Sequence, residues 1–247
     1  MVGAIHFSGG KDSTALLHLL KDRRGELTVY FGDTGAVYPH VSRFVRDTCD
    51  RLGFTLKVVT PPIPIDGFHT RFGLPSDIVP VEASIQMQPY IADKRSHLLQ
   101  SPLSCCGAMV WAPLQAAMLA DGITTVYRGS KRADGHVGVA DGFVDENGIA
   151  WRSPLWAWSD DDVFAFLRQA GAVLPEHYVE VNASFDCMTC TAFLNHSGAA
   201  ARLRWTRAHY PDAWPAIAAR LALVRGIVTA ENALIDEAMN LADRSMN

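Results

Sequence analysis

The chain has 247 residues, 49% of them hydrophobic and 19% charged, which excludes wholesale disorder and suits one large domain, or one domain with a helical extension. Lys and Arg number 22 against 26 Asp and Glu, a formal charge of −4, so the chain as a whole is not a polyanion-binding cation. No apolar run in the sequence approaches the roughly 20 residues of a membrane span. Met1–Phe7 lacks the basic start of a signal peptide, so a cytoplasmic location with reduced cysteines is expected.

Val2–Phe7 reads as a buried strand, Ser8–Ser13 as a glycine turn and Thr14–Lys21 as a helix. A second strand is expected over Leu27–Phe31 and a helix through Val41, Phe44, Val45, Cys49 and Leu52, stopped by Gly53. Phe54–Thr60 makes a third strand. Strand alternating with helix in this way implies parallel pairing with right-handed crossovers.

Pro61–Pro80 reads as an irregular excursion, and Gly107–Ala120 as a helix in which Pro113 sits near the first turn or makes a kink. A fourth strand follows at Ile123–Arg128. Ser130–Gly148 is polar and glycine-rich, with a small hairpin expected around Asp145–Gly148. Ser159 with Asp162 starts a helix that ends near Gly171. The tail from Asn195 is helical. The domain boundaries are therefore 1–194 for an α/β domain holding the cysteine-rich site and 195–247 for a helical extension.

The turn Ser8, Gly9, Gly10, Lys11, Asp12, Ser13 stands between a strand and a helix, where backbone N–H groups and the helix dipole favour a phosphate. A tight capped turn is the other reading of the same residues. The spacing is not that of a Walker A loop. Asp33, at the end of the second strand, either holds Mg²⁺ beside a nucleotide or caps the next helix. Of five cysteines, four form a tandem pair, Cys105 and Cys106, and a Cys-x-x-Cys, Cys187 and Cys190. Four thiolates suit Zn²⁺ or an iron–sulfur cluster, and the tandem pair favours the cluster over a zinc ribbon. A redox pair at Cys187/Cys190 beside buried apolar cysteines remains an alternative. Cys49, His6 and His18 read as packed core residues, and His40 as a residue near the crevice that can touch a nucleotide.

Taken in order, these pieces resemble the phosphoadenylyl-sulfate and adenylyl-sulfate reductase family of the adenine nucleotide α-hydrolase superfamily. The likeness is carried by Ser8–Ser13; by Asp33, Thr34 and Gly35 followed by Pro39; and by Cys105 and Cys106 followed by Pro113 and Leu114. It continues through Ser153, Pro154, Leu155, Trp158 and Asp161–Val163, and ends with Pro175, Tyr178 and Cys187–Thr191. The resemblance implies an open parallel α/β sheet with flanking helices and the nucleotide at the carboxyl ends of the strands. It implies nucleotide contacts at Ser8, Gly9, Gly10, Lys11, Asp12, Ser13, Asp33, Thr34, Gly35, Gly129, Lys131 and Arg132. Catalytic roles fall to Lys11, Asp12 and Asp33. A [4Fe–4S] cluster on Cys105, Cys106, Cys187 and Cys190 is also implied.

Two departures stand out. Cys190 is the last cysteine, whereas reductases of the family carry a later one that attacks sulfur. Met109 and Val110 occupy positions where the family usually has Arg and Lys. The expectation is therefore an enzyme that cleaves Mg²⁺-bound ATP at the α-phosphate during sulfur transfer. A nucleic-acid acceptor and a partner such as thioredoxin or another sulfur-donor protein are the expectations that go with this reading. Reduction of adenylyl sulfate or phosphoadenylyl sulfate with an external thiol is the alternative, and a non-catalytic nucleotide-binding or redox-sensing module the third. The helix holding Arg202, Arg204, Trp205, Arg207, His209 and Tyr210 mixes cations with aromatics, which suits either nucleic-acid contact or an amphipathic core helix.

Overall fold

The computed structural model describes residues 3–77, 99–137 and 141–245. Val2, the last residues of the Pro61–Pro80 excursion, part of the Ser130–Gly148 stretch, and Met246 and Asn247 lie outside the described residues. Packing divides the chain into two compact units, Met1–Pro62 with Gly107–Cys187, and Ile63–Cys106 with Met188–Asn247. These cuts fall elsewhere than at 194/195.

The first unit is built on a five-stranded, all-parallel sheet. Its strands are β1 (Gly3–His6), β2 (Leu27–Gly32), β3 (Thr55–Val59), β6 (Thr125–Tyr127) and β7 (Ala150–Arg152), in the order β3-β2-β1-β6-β7. Alternate side chains feed two cores. Ile5, Val29 and Phe31 pack with Leu16 and Leu17 of α1 (Lys11–Leu19), Val45 and Cys49 of α2 (Pro39–Leu52) and Val163 of α6 (Asp160–Gln169). Ala4, Tyr30 and Val126 face the other way, onto Leu114 and Met118 of α5 (Ala112–Ala120). A sheet covered on both faces explains why its strands read as continuous apolar runs rather than as alternating ones.

Gly53 ends α2 at φ 74, and a full capping box between Ser159 and Asp162 starts α6, both as the sequence implies. The expected hairpin at Asp145–Gly148 is a tight turn closed by an antiparallel bridge between Val144 and Ala150. It leads into β7, a fifth strand that three residues, Ala150–Arg152, were too short to announce. The turn before α5, Gly107–Trp111, is π-helical, and Pro113 follows it in the first turn of α5. A widened turn accommodates a residue that cannot donate an N–H. Contrary to the sequence expectation, Pro102–Ala120 is long and apolar enough to cross a membrane, with 19 residues at mean hydropathy 1.5. From this run Leu114 and Met118 are buried in the sheet core.

The second unit contains α3 (Ile65–Phe72), a two-residue parallel pair of β4 (Leu74–Pro75) with β5 (Leu99–Gln100), α4 (Pro102–Cys106), α7 (Ala199–His209) and α8 (Trp214–Ser245). Leu74 and Leu99 pack on Val224 of α8. Thr191 Oγ1 donates to the Pro75 carbonyl at 2.5 Å, and Asp77 accepts from Leu194 and Asn195 N–H. In α7, Trp205 is buried and stacked on His209, and Arg202 lies over Phe193. Packing accounts for both residues, as in the core reading of that helix.

Candidate functional site

All strands run the same way, but successive strands are added on one side of β1 up to β3 and on its other side from β6, and at such a switch point an open α/β sheet leaves a crevice at the carboxyl ends of its strands. The loop after β1 is Phe7–Gly10, and Gly9 turns at φ +84, a conformation that favours glycine. Gly10 is the N-cap of α1 at φ −75, with no side-chain cap. Its carbonyl accepts from Ser13 Oγ at 3.0 Å and Thr14 Oγ1 at 2.9 Å, while Ser8 and Ser13 hydroxyls are 3.2 Å apart. The loop after β6 meets it through Gly129. A Cβ at that position would lie 2.8 Å from the carbonyl carbon of Asp12 and 2.9 Å from the Ser13 nitrogen.

Five charges gather beside this loop. Lys11 Nζ binds Asp12 at 2.9 Å and Asp160 at 2.8 Å. Lys131 Nζ, on a side chain only 1% exposed, binds Asp12 at 2.7 Å, Asp134 at 2.9 Å and Asp160 at 3.4 Å. Burial opposes the Lys131 charge, but Asp12 and Asp134 outweigh it and hold the ammonium well above its ordinary pKa. Lys11, chiefly, holds the Asp160 carboxyl below the usual range. Arg132 is exposed and starts a 3₁₀ turn, so Lys131 rather than its neighbour is the cation turned toward the loop.

A strap from the same unit crosses the loop. The Lys11 N–H donates to the Tyr178 hydroxyl at 3.0 Å, which is 3.1 Å from Ser184 Oγ. Ser184 Oγ lies 2.6 Å from where a Cβ on Gly10 would stand.

At the end of β2, Asp33 Oδ1 accepts from the Gly35 N–H at 2.9 Å, and Gly35 sits at φ +80. Asp33 therefore closes a local turn. It does not cap α2, whose N-cap is Tyr38 without a side-chain bond. Thr34 Oγ1 is 3.1 Å from Cys187 Sγ, and Val37 pairs with Cys187 in an antiparallel bridge. His40 and His177 are buried and bonded ring to ring at 2.8 Å, with His177 stacked on Phe185.

In the second unit, His69 Nε2 is 3.3 Å from Cys105 Sγ, and His69 Nδ1 is 2.8 Å from Arg220. A guanidinium only donates, so Nδ1 accepts and the ring proton is on Nε2, facing the sulfur. Cys105 is buried, Cys106 exposed and Cys190 half-buried, with its sulfur accepting from Ala192 N–H at 3.3 Å. Four thiols are a donor set that suits an iron–sulfur cluster. Among the described residues, however, no three His, Cys, Asp or Glu side chains are grouped to hold a metal ion. Cys49 is fully buried, and burial pushes its thiol up to about 12, as expected of a core cysteine.

A model of the phosphoadenosine phosphosulfate reductase domain family matches residues 3–193. The chain belongs to that family. Among its relatives, a phosphoadenosine 5'-phosphosulfate reductase of Xanthomonas oryzae pv. oryzae is 24% identical over 166 residues, covering 67% of this chain and 61% of the relative. One from Xanthomonas campestris pv. campestris is 26% identical over 175 residues, covering 70% and 64%. The chain thus spans about three fifths of the length of these curated relatives. The crystal structure of phosphoadenylyl-sulfate reductase from Candida auris, a phosphate complex, is similar in fold at TM-score 0.53 and 16% identity. That match covers 78% of this chain and 84% of the other.

Within the phosphoadenosine phosphosulfate reductase family pattern, the structure brings Ser8–Ser13, Gly129 and Lys131 together and places Asp33–Gly35 at the end of the adjacent strand. Met109 is buried and Val110 packs toward Gly32 and the sheet core, so neither position offers a charge to a ligand. Sequence reasoning did not single out Asp134, Asp160, Ser184 or His69. Asp160 was hidden inside an acidic run that reads as a helix start. Ser184 and His69 belong to no pattern, and only their partners in space give them significance.

Proposed function

We propose that this chain binds an adenine nucleotide with its phosphates on the Ser8–Ser13 loop and cleaves ATP between the α- and β-phosphates, as the activating step of a sulfur transfer. The observation that supports this best is the charge cluster, two ammonium groups among three carboxylates. With one carboxylate in excess, a bare polyanion is disfavoured, whereas a phosphate chain arriving with Mg²⁺ carries its own counter-charge. Met109 and Val110, both apolar where the family has cations, point away from a phosphosulfate ligand.

In this reading an acceptor oxygen attacks the α-phosphorus. The bond from the α-phosphorus to the bridging oxygen breaks, and its electron pair leaves with Mg²⁺-pyrophosphate. Lys11 and Lys131 neutralise the leaving group, the loop amides cradle it, and Asp12 and Asp33 hold the accompanying Mg²⁺. The acceptor oxygen, now bonded to AMP, is displaced by a sulfur nucleophile, and AMP carries away the electron pair. A nucleic acid as acceptor, a sulfur-donor protein such as thioredoxin and a cytoplasmic location belong to the same proposal. So does a [4Fe–4S] cluster on Cys105, Cys106, Cys187 and Cys190, which rests on the donor set alone.

Sulfonucleotide reduction with an external thiol is the second reading, favoured by the family match and by the names of the relatives. Anaerobic incubation with ATP, adenylyl sulfate or phosphoadenylyl sulfate separates the two. Pyrophosphate from ATP supports the first, and sustained sulfite release supports the second.

A further inference from the structure

We propose that the bonded hydroxyl pair of Tyr178 and Ser184 forms a second wall of the phosphate site and donates its one remaining proton in a hydrogen bond to an oxygen of a bound pyrophosphate group. The proposal rests on the nucleotide reading above and assigns two residues to it.

The amide at the start of α1 is not capped by its own N-cap residue. It is capped by the Tyr178 oxygen from 167 positions along the chain. The Tyr178 and Ser184 hydroxyls are 3.1 Å apart, and the bond between them uses only one of their two protons. The other proton remains available to an acceptor. It is presented beside the positive end of a helix and beside Lys11, where an acceptor that is an anion is favoured. Ser184 is exposed, so a ligand reaches this pair from solvent. Burial raises the Tyr178 phenol above its ordinary value, which keeps it a donor at neutral pH.

The strap that carries the two hydroxyls is stiff. Pro175 opens a 3₁₀ turn over Glu176–Val179. Val181 N–H donates to the His177 carbonyl at 2.7 Å, and His177 Nε2 is 3.0 Å from the Ala183 carbonyl. His177 lies flat on Phe185, with ring centres 4.0 Å apart. These contacts fix both ends of the loop, so Tyr178 and Ser184 meet the phosphate site without reordering, the condition for donors that contribute strongly to anion binding. Gly10 completes the fit, because a side chain there would displace Ser184.

The test is calorimetric titration of inorganic pyrophosphate and of Mg²⁺-ATP into wild type, Tyr178→Phe and Ser184→Ala, with thermal unfolding of each protein without ligand. Tyr178→Phe keeps the ring that packs on His177. Each variant is expected to weaken pyrophosphate binding about tenfold or more, as for hydrogen bonds to a charged group. A lowered Tm with wild-type pyrophosphate affinity in both variants would make the hydroxyls structural caps only and overturn the inference. If wild type binds neither ligand, the nucleotide reading itself fails and takes this inference with it.

Discussion

Gly129 stands against the backbone of Asp12 so closely that no side chain fits between them. This contact joins the loop after β6 to the start of α1 across the switch point of the sheet, and so sets the distance from Lys131 to Asp12. Gly129→Ala is expected to push the loops apart, lowering stability by about 1–3 kcal/mol and weakening Mg²⁺-ATP binding. Gly10→Val should weaken binding too, because it displaces the Ser184 hydroxyl rather than because of its own backbone, which is ordinary at φ −75. Calorimetry on both variants checks the pair. Wild-type affinity in either would separate that contact from the site.

Lys131→Met removes an enclosed ammonium, takes from Asp134 its Lys131 contact and leaves Asp12 and Asp160 to Lys11 alone. The expected cost is about 1–2 kcal/mol of stability, since the three carboxylates are partly solvated. Asp160 is held below its ordinary value of 3.8, mainly by Lys11 and with help from Lys131. Its contribution is present above that pH and is lost as the pH falls through the depressed value. The variant should therefore lose less stability than wild type on acidification, a difference that denaturant titrations at several pH values will read.

His6 has an enclosed Nε2 with no hydrogen-bond partner among the described residues, and its ring stands edge-on to Trp151. Burial, and then the charge of Arg128, lower it from 6.5 to about 4. The native state holds the neutral ring while the unfolded chain takes up a proton below 6.5. Stability should then decline as pH falls from 6.5 toward 4, by about 3 kcal/mol in all from this residue. His6→Phe should reduce the slope in that window. An unchanged slope would assign the effect to other groups.

The cysteine set predicts iron and acid-labile sulfide in near-equal amounts after anaerobic purification. Single serine substitutions at Cys105, Cys106, Cys187 or Cys190 should lose both, and Cys49→Ser should lose neither. Stoichiometric zinc without iron would contradict the cluster.

Much of the first unit was legible in the sequence, because a sheet buried on both faces writes itself as apolar runs separated by glycine turns. The capping box at Ser159 and the stop at Gly53 were legible for the same local reasons. β7 was not, since three residues carry no periodicity, and its place is fixed by pairing with β6. The grouping of Ile63–Cys106 with the C-terminal helices was hidden because it depends on contacts such as Thr191 with Pro75, over a hundred residues apart. In the site, the glycine loop, Asp33 and Lys131 could be read from pattern. Tyr178 carried part of the family likeness, but its bond to the Lys11 amide, like the placement of Asp160 and Ser184, arises only when distant segments fold onto the loop. The glycine turn was legible, but the separate reasons for its two glycines were not: Gly9 takes a positive φ, and Gly10 leaves room for Ser184.

The most direct measurement of the central claim is product analysis under anaerobic conditions with Mg²⁺-ATP, adenylyl sulfate and phosphoadenylyl sulfate in parallel, with a thiol reductant and a nucleic-acid acceptor present. The account predicts pyrophosphate and AMP from ATP, abolished by Lys11→Ala, and no sustained sulfite. Sulfite released over many turnovers from either sulfonucleotide, with ATP left intact, would contradict it.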